Sequence, residues 1–282
     1  MDDCGVSGDN LKQIFIDDAN KPAHSKLLTD ELCKKLGSDL GSFLAAVHRD
    51  GSRDEELMET CAGNVQGKQI SVWATYGRLL ESVAGTGDCA NLFQTPLDAS
   101  EEQLKVVAEV AKVRSSEILA AKDVFTMGDF WTGNMVLNTQ LDKNETPKVF
   151  QAYVVDWELA KPSLPFMDVG QFAAEMRLLQ KFFPETKAYA SSCLDSFFES
   201  YQASLSSQPS ANFQVDETFI RGVAIHLGVH LIVWTPRIDT WKPAATVREV
   251  ALEGLDMIVR AWGTEDAWLR SSIVGKLFSQ AP

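Results

Sequence analysis

The run Met127-Gly-Asp-Phe-Trp-Thr-Gly-Asn134 leads straight into a short apolar segment, Met135-Val-Leu137, and a longer one, Val149 to Asp156, follows a polar, turn-rich stretch at 138–148. Two strand-like runs around such a stretch make an antiparallel hairpin, which limits which residues can meet. With the turn centred near residue 145, Asn134 falls opposite Asp156 at the open end, and Asp129 sits just before that end. Three oxygen-bearing side chains converge once a single hairpin is assumed.

Phosphoryl transfer to a hydroxyl needs a carboxylate that takes the proton and aims the nucleophile. It also needs a neutral oxygen ligand for Mg2+ close by. Asp129 and Asn134 have the D-x-x-x-x-N spacing of a kinase catalytic loop, and Asp156 ends an apolar strand. Each also has a plainer reading, since Asp and Asn are common turn residues and an Asp often closes a strand. Singly, the plain reading is as good as the functional one; all three at these spacings favour a site.

The rest of the chain reads mostly as helix. Thr29 to His48 repeats Leu32, Leu36, Leu40, Phe43, Leu44 and Val47 at steps of three and four behind a Thr29 or Asp30 cap. Glu101 to Lys122 carries a similar stripe. Helices are expected at 168–183, 188–204, 216–234, 245–262 and 265–279, with Pro184 after the first of these. Residues 53–100 look mixed and polar, broken by five glycines, and Leu11 to Ile16 reads as a strand.

Thirty-nine acidic residues against 26 basic give a net charge of −13. That balance disfavours nucleic acid as a partner and is compatible with a cationic substrate. Val223 to Trp234 is the longest apolar run, interrupted by His226 and His230, and is too short to span a bilayer, so no membrane is expected. The N-terminus lacks the basic and apolar parts of a secretory signal. Five scattered cysteines, with no CxxC pair, read as reduced thiols of a cytoplasmic protein, so the sequon at Asn144 is not expected to be glycosylated.

GDFWTGN, then VVDWE, then Asp168-Val-Gly-Gln-Phe-Ala-Ala-Glu175, together with Leu36 to His48, resemble the aminoglycoside phosphotransferase/choline kinase family. The resemblance covers residues 30 to about 180. It implies a protein-kinase-like architecture, α+β and mostly α, in which this chain forms the C-terminal, catalytic lobe with a small β-hairpin. It makes Asp129 the catalytic base, Asn134 and Asp156 the Mg2+ ligands beside ATP, and Asp168 an acid bracing the loop from the next helix. Asp168 alone reads more simply as a helix N-cap. Glu158, two residues beyond Asp156, would share its face in an extended strand and could assist the metal. Met127 stands where the family often has His.

The family's N-terminal, nucleotide-holding lobe needs roughly 60 residues or more. Only 28 residues precede the helix at Thr29, so residues 1–28 are read as a remnant or linker and 29–282 as the catalytic lobe. Gly63 to Gln69 imitates a P-loop one residue short, with Gln where Ser or Thr must bind Mg2+. His226 and His230 have metal-site spacing but apolar flanks, and read as packing residues. The expected function is ATP- and Mg2+-dependent phosphorylation of a small-molecule hydroxyl. The alternatives are a pseudoenzyme or binding module with impaired ATP binding, and a metal-dependent hydrolase, against which the kinase spacing of Asn134 argues.

Overall fold

The computed structural model describes residues 8–22, 25–90, 92–93, 95–141, 147–263 and 266–278. Cys4 and the Asn144 sequon lie outside them. Strand β1 (Asp9–Asn10) leads into helix α1 (Leu11–Asn20), whose first turn is closed by the Asn10 side chain accepting the Gln13 N–H at 2.8 Å. The expected strand at Leu11 to Ile16 is thus a helix. Leu11, Ile14 and Phe15 bury one face at helical steps, and a six-residue window is too short to separate that pattern from a strand. The buried Asp18 accepts the Leu28 N–H at 2.6 Å, fixing α1 to the start of α2.

Helix α2 (Asp30–Asp50) starts where the Thr29 hydroxyl accepts the Leu32 N–H. It packs along α8 (Lys187–Ser207), with Gly37 and Gly41 at the contact, where a methyl group would run into the carbonyls of Cys193 and Phe197. The stretch 53–100 is more helical than its composition suggests: α3 (Glu55–Ala62), α4 (Val65–Ala74) and α5 (Tyr76–Ala84) follow one another. Gly63 and Gly85 end helices there rather than break them. A capping box between Ser100 and Gln103 opens α6 (Glu101–Ala120).

The strands are few. β2 (Phe125–Thr126) pairs with β5 (Lys161–Pro162), while β1, β3 (Met135–Leu141) and β4 (Pro147–Val154) make a second antiparallel sheet in the order β1-β3-β4. Met135 pairs with Val154, one residue away from the expected register, so Asn134 meets Val155, whose N–H bonds the Asn134 carbonyl at 2.9 Å. The reason is local. Leu141 pairs with Pro147 where the expected register has Val149, and a bulge between Asn138 and Thr139 takes back half of that offset toward the open end.

Helix α7 (Pro165–Phe182) begins with a proline and places Asp168 in its first turn, not at its cap, so the N-cap reading of Asp168 fails. Helix α9 (Glu217–Val233) is apolar on nearly every side because it lies between α7 and α10 (Ala244–Trp262). The window Glu217–Arg237 passes the length and hydropathy test for a membrane span, but 83% of it is buried inside this fold. Helix α11 (Asp266–Ser271) and a tight turn at Gly275–Leu277 replace the longer helix expected at 265–279. The described residues form a mostly helical α+β structure with two small sheets.

Candidate active site

The loop Met127–Asn134 joins β2 to β3 and lies against α7. Asp168, Gln171 and Glu175 stand at i, i+3 and i+7 of that helix, one face extending over about 10 Å, and each holds a different part of the loop. Asp168, fully buried, accepts the Met127 N–H on Oδ2 and the Gly128 N–H on Oδ1, both at 2.9 Å. Its Oδ2 also meets His48 Nε2 at 3.0 Å, and His48 Nδ1 meets the Tyr201 hydroxyl at 2.8 Å. Gln171 Nε2 donates to Asp129 Oδ1 at 2.6 Å. Thr132 Oγ1 donates to Glu175 Oε2 at 3.3 Å.

Gly128 has a φ of 84°, in the left-handed region, and a methyl group there would collide with the Leu159 carbonyl and the Lys161 ammonium. Only glycine fits. Lys161 is buried, donates to the Leu159 carbonyl at 2.8 Å, and burial pushes its ammonium below the usual range although Asp168 and Asp129 pull it up.

Asn134 Nδ2 donates to both the carbonyl and the Oδ2 of Asp129, each at 3.1 Å. Two oxygen partners fix the amide's orientation, which leaves Asn134 Oδ1 as a neutral oxygen for a metal. Burial pushes the Asp129 carboxyl above the ordinary carboxylate range; Gln171, Asn134 and His230 pull it down, while nearby Asp156 adds to the rise. Asp156 itself has a φ of 65°, a costly backbone for a residue with a side chain. The kink takes the chain out of β4 right after the hairpin's open end, where Val155, the residue before Asp156, bonds the Asn134 carbonyl. A neutral amide oxygen and a carboxylate beside a buried carboxylate are the donor types that Mg2+ takes.

Glu158 does not share a strand face with Asp156, because β4 ends at Val154 and the chain turns; the side chain is exposed, and its carbonyl accepts Asn64 Nδ2 at 3.0 Å. Asp129 also borders a small cavity of about 50 Å³ whose walls include Ala74 of α4 and Thr75 after it, Gln171 of α7, His226 and His230 of α9, and Trp234 just after α9. His226 is a packing histidine as expected, bonded to the Tyr76 hydroxyl at 3.1 Å, and burial depresses its pKa to about 3. His230 does more: its Nε2 lies 3.0 Å from Glu175 Oε1.

His48, Gln171, Glu175, His230 and Lys161 were not singled out as site residues by the sequence reading. A signal existed for three of them. His48 continues the apolar stripe Leu36, Leu40, Leu44, and Gln171 and Glu175 are polar residues on an otherwise apolar helix face set by Asp168. Lys161 carried no such sign.

No family model matches the chain. It is 24% identical over 210 residues to a 4-hydroxytryptamine kinase of Psilocybe cyanescens, a match covering 74% of this chain and 50% of that protein. Phosphotransferase FrzJ of Cladobotryum sp is 24% identical over 254 residues, covering 88% and 59%. The chain therefore spans a little over half the length of these curated relatives. Its fold is that of crystal structures of glucosamine kinase, with a TM-score of 0.50 at 14% identity over 90% of this chain and 61% of that one.

Proposed function

We propose that these residues form the catalytic lobe of an ATP- and Mg2+-dependent phosphotransferase acting on a small-molecule hydroxyl, in the manner of the aminoglycoside phosphotransferase/choline kinase family. The observation that carries the reading is the Asn134 amide resting on Asp129. One side chain thereby orients the base and turns its own oxygen outward beside Asp156. Gln171 holds the other oxygen of the Asp129 carboxylate.

In this reading the acceptor hydroxyl enters the cavity beside Asp129, which takes its proton as the oxygen attacks the γ-phosphorus and the bond to ADP breaks. Asn134 Oδ1 and the Asp156 carboxylate would hold Mg2+, which neutralises charge on the phosphates when bound. The chain's own contribution is positioning: Asp168 fixes the loop's first two N–H groups, Gln171 and Asn134 fix the carboxylate, and Thr132 is held by Glu175. The kinase spacing of Asn134 after Asp129 favours this arrangement over a metal-dependent hydrolase.

The residues around the cavity bear on the acceptor class. The cavity is bordered by Asp129 and by Trp234, whose ring suits a cation, with no lysine or arginine among the described residues that line it. A hydroxylated amine fits, and the relatives named for 4-hydroxytryptamine point the same way. A cytoplasmic location goes with the reduced thiols.

The test is phosphate transfer from Mg-ATP to a panel of aminoglycosides, hydroxylated arylamines and choline, followed by 31P NMR with Asp129→Asn as control. Transfer to one acceptor class that disappears in the variant supports the reading. Equal transfer in the variant, or none to any acceptor at saturating Mg-ATP, sinks it.

A further inference from the structure

The two halves of the catalytic loop are held in different ways. The first half, Met127 to Asp129, is bonded directly to Asp168 and Gln171 of α7. The second half, Trp131 to Asn134, is tied to α7 through the Thr132 hydroxyl, which donates to Glu175 Oε2 at 3.3 Å. It is also met from the other side by α1. Asn10 pairs with Val136 and Asp9 with Leu137, so β1 sets the start of α1 beside the strand that leaves Asn134. The helix then packs against the Thr132–Asn134 turn.

Leu11, Ile14 and Phe15 already cover the surface beneath α1. Lys12 is buried as well, although a helix that only had to cover a surface would carry an apolar residue there. Its ammonium lies 3.6 Å from Glu175 Oε2, the same oxygen that Thr132 bonds. Glu175 Oε1 is taken by His230 Nε2 at 3.0 Å, so the oxygen that serves the loop is the one Lys12 shares. Burial works against the Glu175 charge, yet His230, Lys12 and Thr132 keep its carboxyl below the ordinary range. The ammonium also faces two indoles, 4.1 Å from the ring centre of Trp241 and 5.3 Å from that of Trp131. The Trp131 ring folds back over Gly133, where a methyl group would run into it. One cation therefore reaches the loop twice, at Trp131 and, through Glu175, at Thr132.

We propose that Lys12 is a positioning residue of the transfer site, its ammonium holding Trp131 and Thr132 so that Asn134 keeps its place on Asp129. This rests on the reading of Asp129, Asn134 and Asp156 as that site. It also makes α1 part of the catalytic apparatus, where the sequence led us to expect residues 1–28 to be a remnant or linker. The charge is what needs explaining, since an apolar side chain of the same length would be buried at less cost. Such a side chain would grip by shape alone. An ammonium between a carboxylate and an indole face resists displacement of either one, and does so strongly where water is excluded. Lys12 touches no reacting atom and acts only through the loop.

The experiment uses the full 282-residue chain carrying Lys12→Met, which keeps the length of the stem and drops the charge, or Lys12→Arg, which keeps the charge. Hydrogen exchange is read at single amides. In Lys12→Met the N–H groups of Trp131 and Asn134, which bond the Asp129 and Trp131 carbonyls, are expected to exchange about 10-fold faster. That is the scale of one desolvated cation–π contact. The Met127 and Gly128 N–H groups, held by Asp168, and those of α2 and α8 should be unchanged. Mn2+ affinity in the presence of ATP should fall by a similar factor, which a brace adding only stability would not produce. Lys12→Arg should restore both. Unchanged exchange at Trp131 and Asn134, equal acceleration in α8, Mn2+ affinity untouched while the loop loosens, or an Arg variant as loose as the Met variant overturns the proposal. Should the lone charge left on Glu175 keep Lys12→Met from folding, Lys12→Met/Glu175→Gln is compared with Glu175→Gln. The added change should loosen the same two amides, and no added effect overturns the proposal. Amides that respond as expected in a chain whose wild type binds no Mn2+ with ATP count against the function proposed above and leave the hold of Lys12 on the loop standing.

Discussion

The side-chain amide of Asn134 spans Asp129, donating to its backbone carbonyl and to its carboxylate at the same distance of 3.1 Å. A single residue thereby fixes where the loop bends and where its acid points. The amide oxygen is left free of Asp129, and Asp156, on its left-handed kink, follows the Val155 that bonds the Asn134 carbonyl. That geometry separates residues that do chemistry from residues that hold them, and the two groups should respond differently to mutation.

Asp129→Asn is expected to lower the transfer rate by about 10²- to 10⁴-fold, the usual contribution of a general base. It should not lower the melting temperature, because burial already disfavours the charge there. Steady-state kinetics and differential scanning calorimetry on the same preparation check both halves. A variant that keeps wild-type kcat removes Asp129 from the role.

Asp168→Ala should do the reverse, acting on stability first. It strands two backbone N–H groups and His48 in a fully buried position, and removing one partner of such a network costs about 3–5 kcal/mol. Urea unfolding should show a loss of that order. The cycle with His48→Ala should be strongly non-additive, since both changes dismantle the same network.

Asn134→Ala and Asp156→Ala should each weaken Mn2+ binding in the presence of ATP, and the double variant should lose little beyond the worse single one, because one ion needs both ligands. Electron paramagnetic resonance of free Mn2+ measures this directly. Full additivity with no loss in either single variant would place the metal elsewhere. Glu158→Ala should leave the affinity unchanged.

Stability should fall as pH drops below about 6.5, with His226 a principal cause. Its pKa is about 3 in the fold and 6.5 when exposed. Above 6.5 both states are neutral and the full stability is present. Between 6.5 and 3 only the unfolded chain takes up the proton, which costs up to about 1.4 kcal/mol per pH unit. His226→Gln, keeping a polar partner for Tyr76, should flatten the slope of unfolding free energy against pH. An unchanged slope would show that His226 does not control it.

A polypeptide of these 282 residues is expected to bind Mg-ATP more weakly than low micromolar and to turn over slowly. In the described residues the strands are the pair β2–β5, the hairpin β3–β4 and the two-residue β1 on its edge, so the phosphates would be held from one side and stay wet, where charges act several-fold more weakly. Calorimetry with Mg-ATP tests it; a low-micromolar dissociation constant would refute it.

The helical periodicities, the hairpin and the convergence of Asp129 with Asn134 could be read along the chain, because each depends on residues within one element or one turn. What failed to show was of two kinds. Leu11 to Ile16 and the hairpin register were decided by a helical face needing a surface to cover and by one bulged residue, both finer than a pattern of apolar runs resolves. His48, Glu175, Lys12 and His230 were decided by packing. They lie on four different helices, and only the stacking of α2, α7, α1 and α9 around one loop turns isolated polar residues on apolar faces into hydrogen-bonded partners. A buried charge has no local sequence signature, since what makes it tolerable is a partner brought from a distant part of the chain. The sequence by itself marked the residues proposed to carry the chemistry, because their spacing is local, and the tertiary structure decided what holds them still.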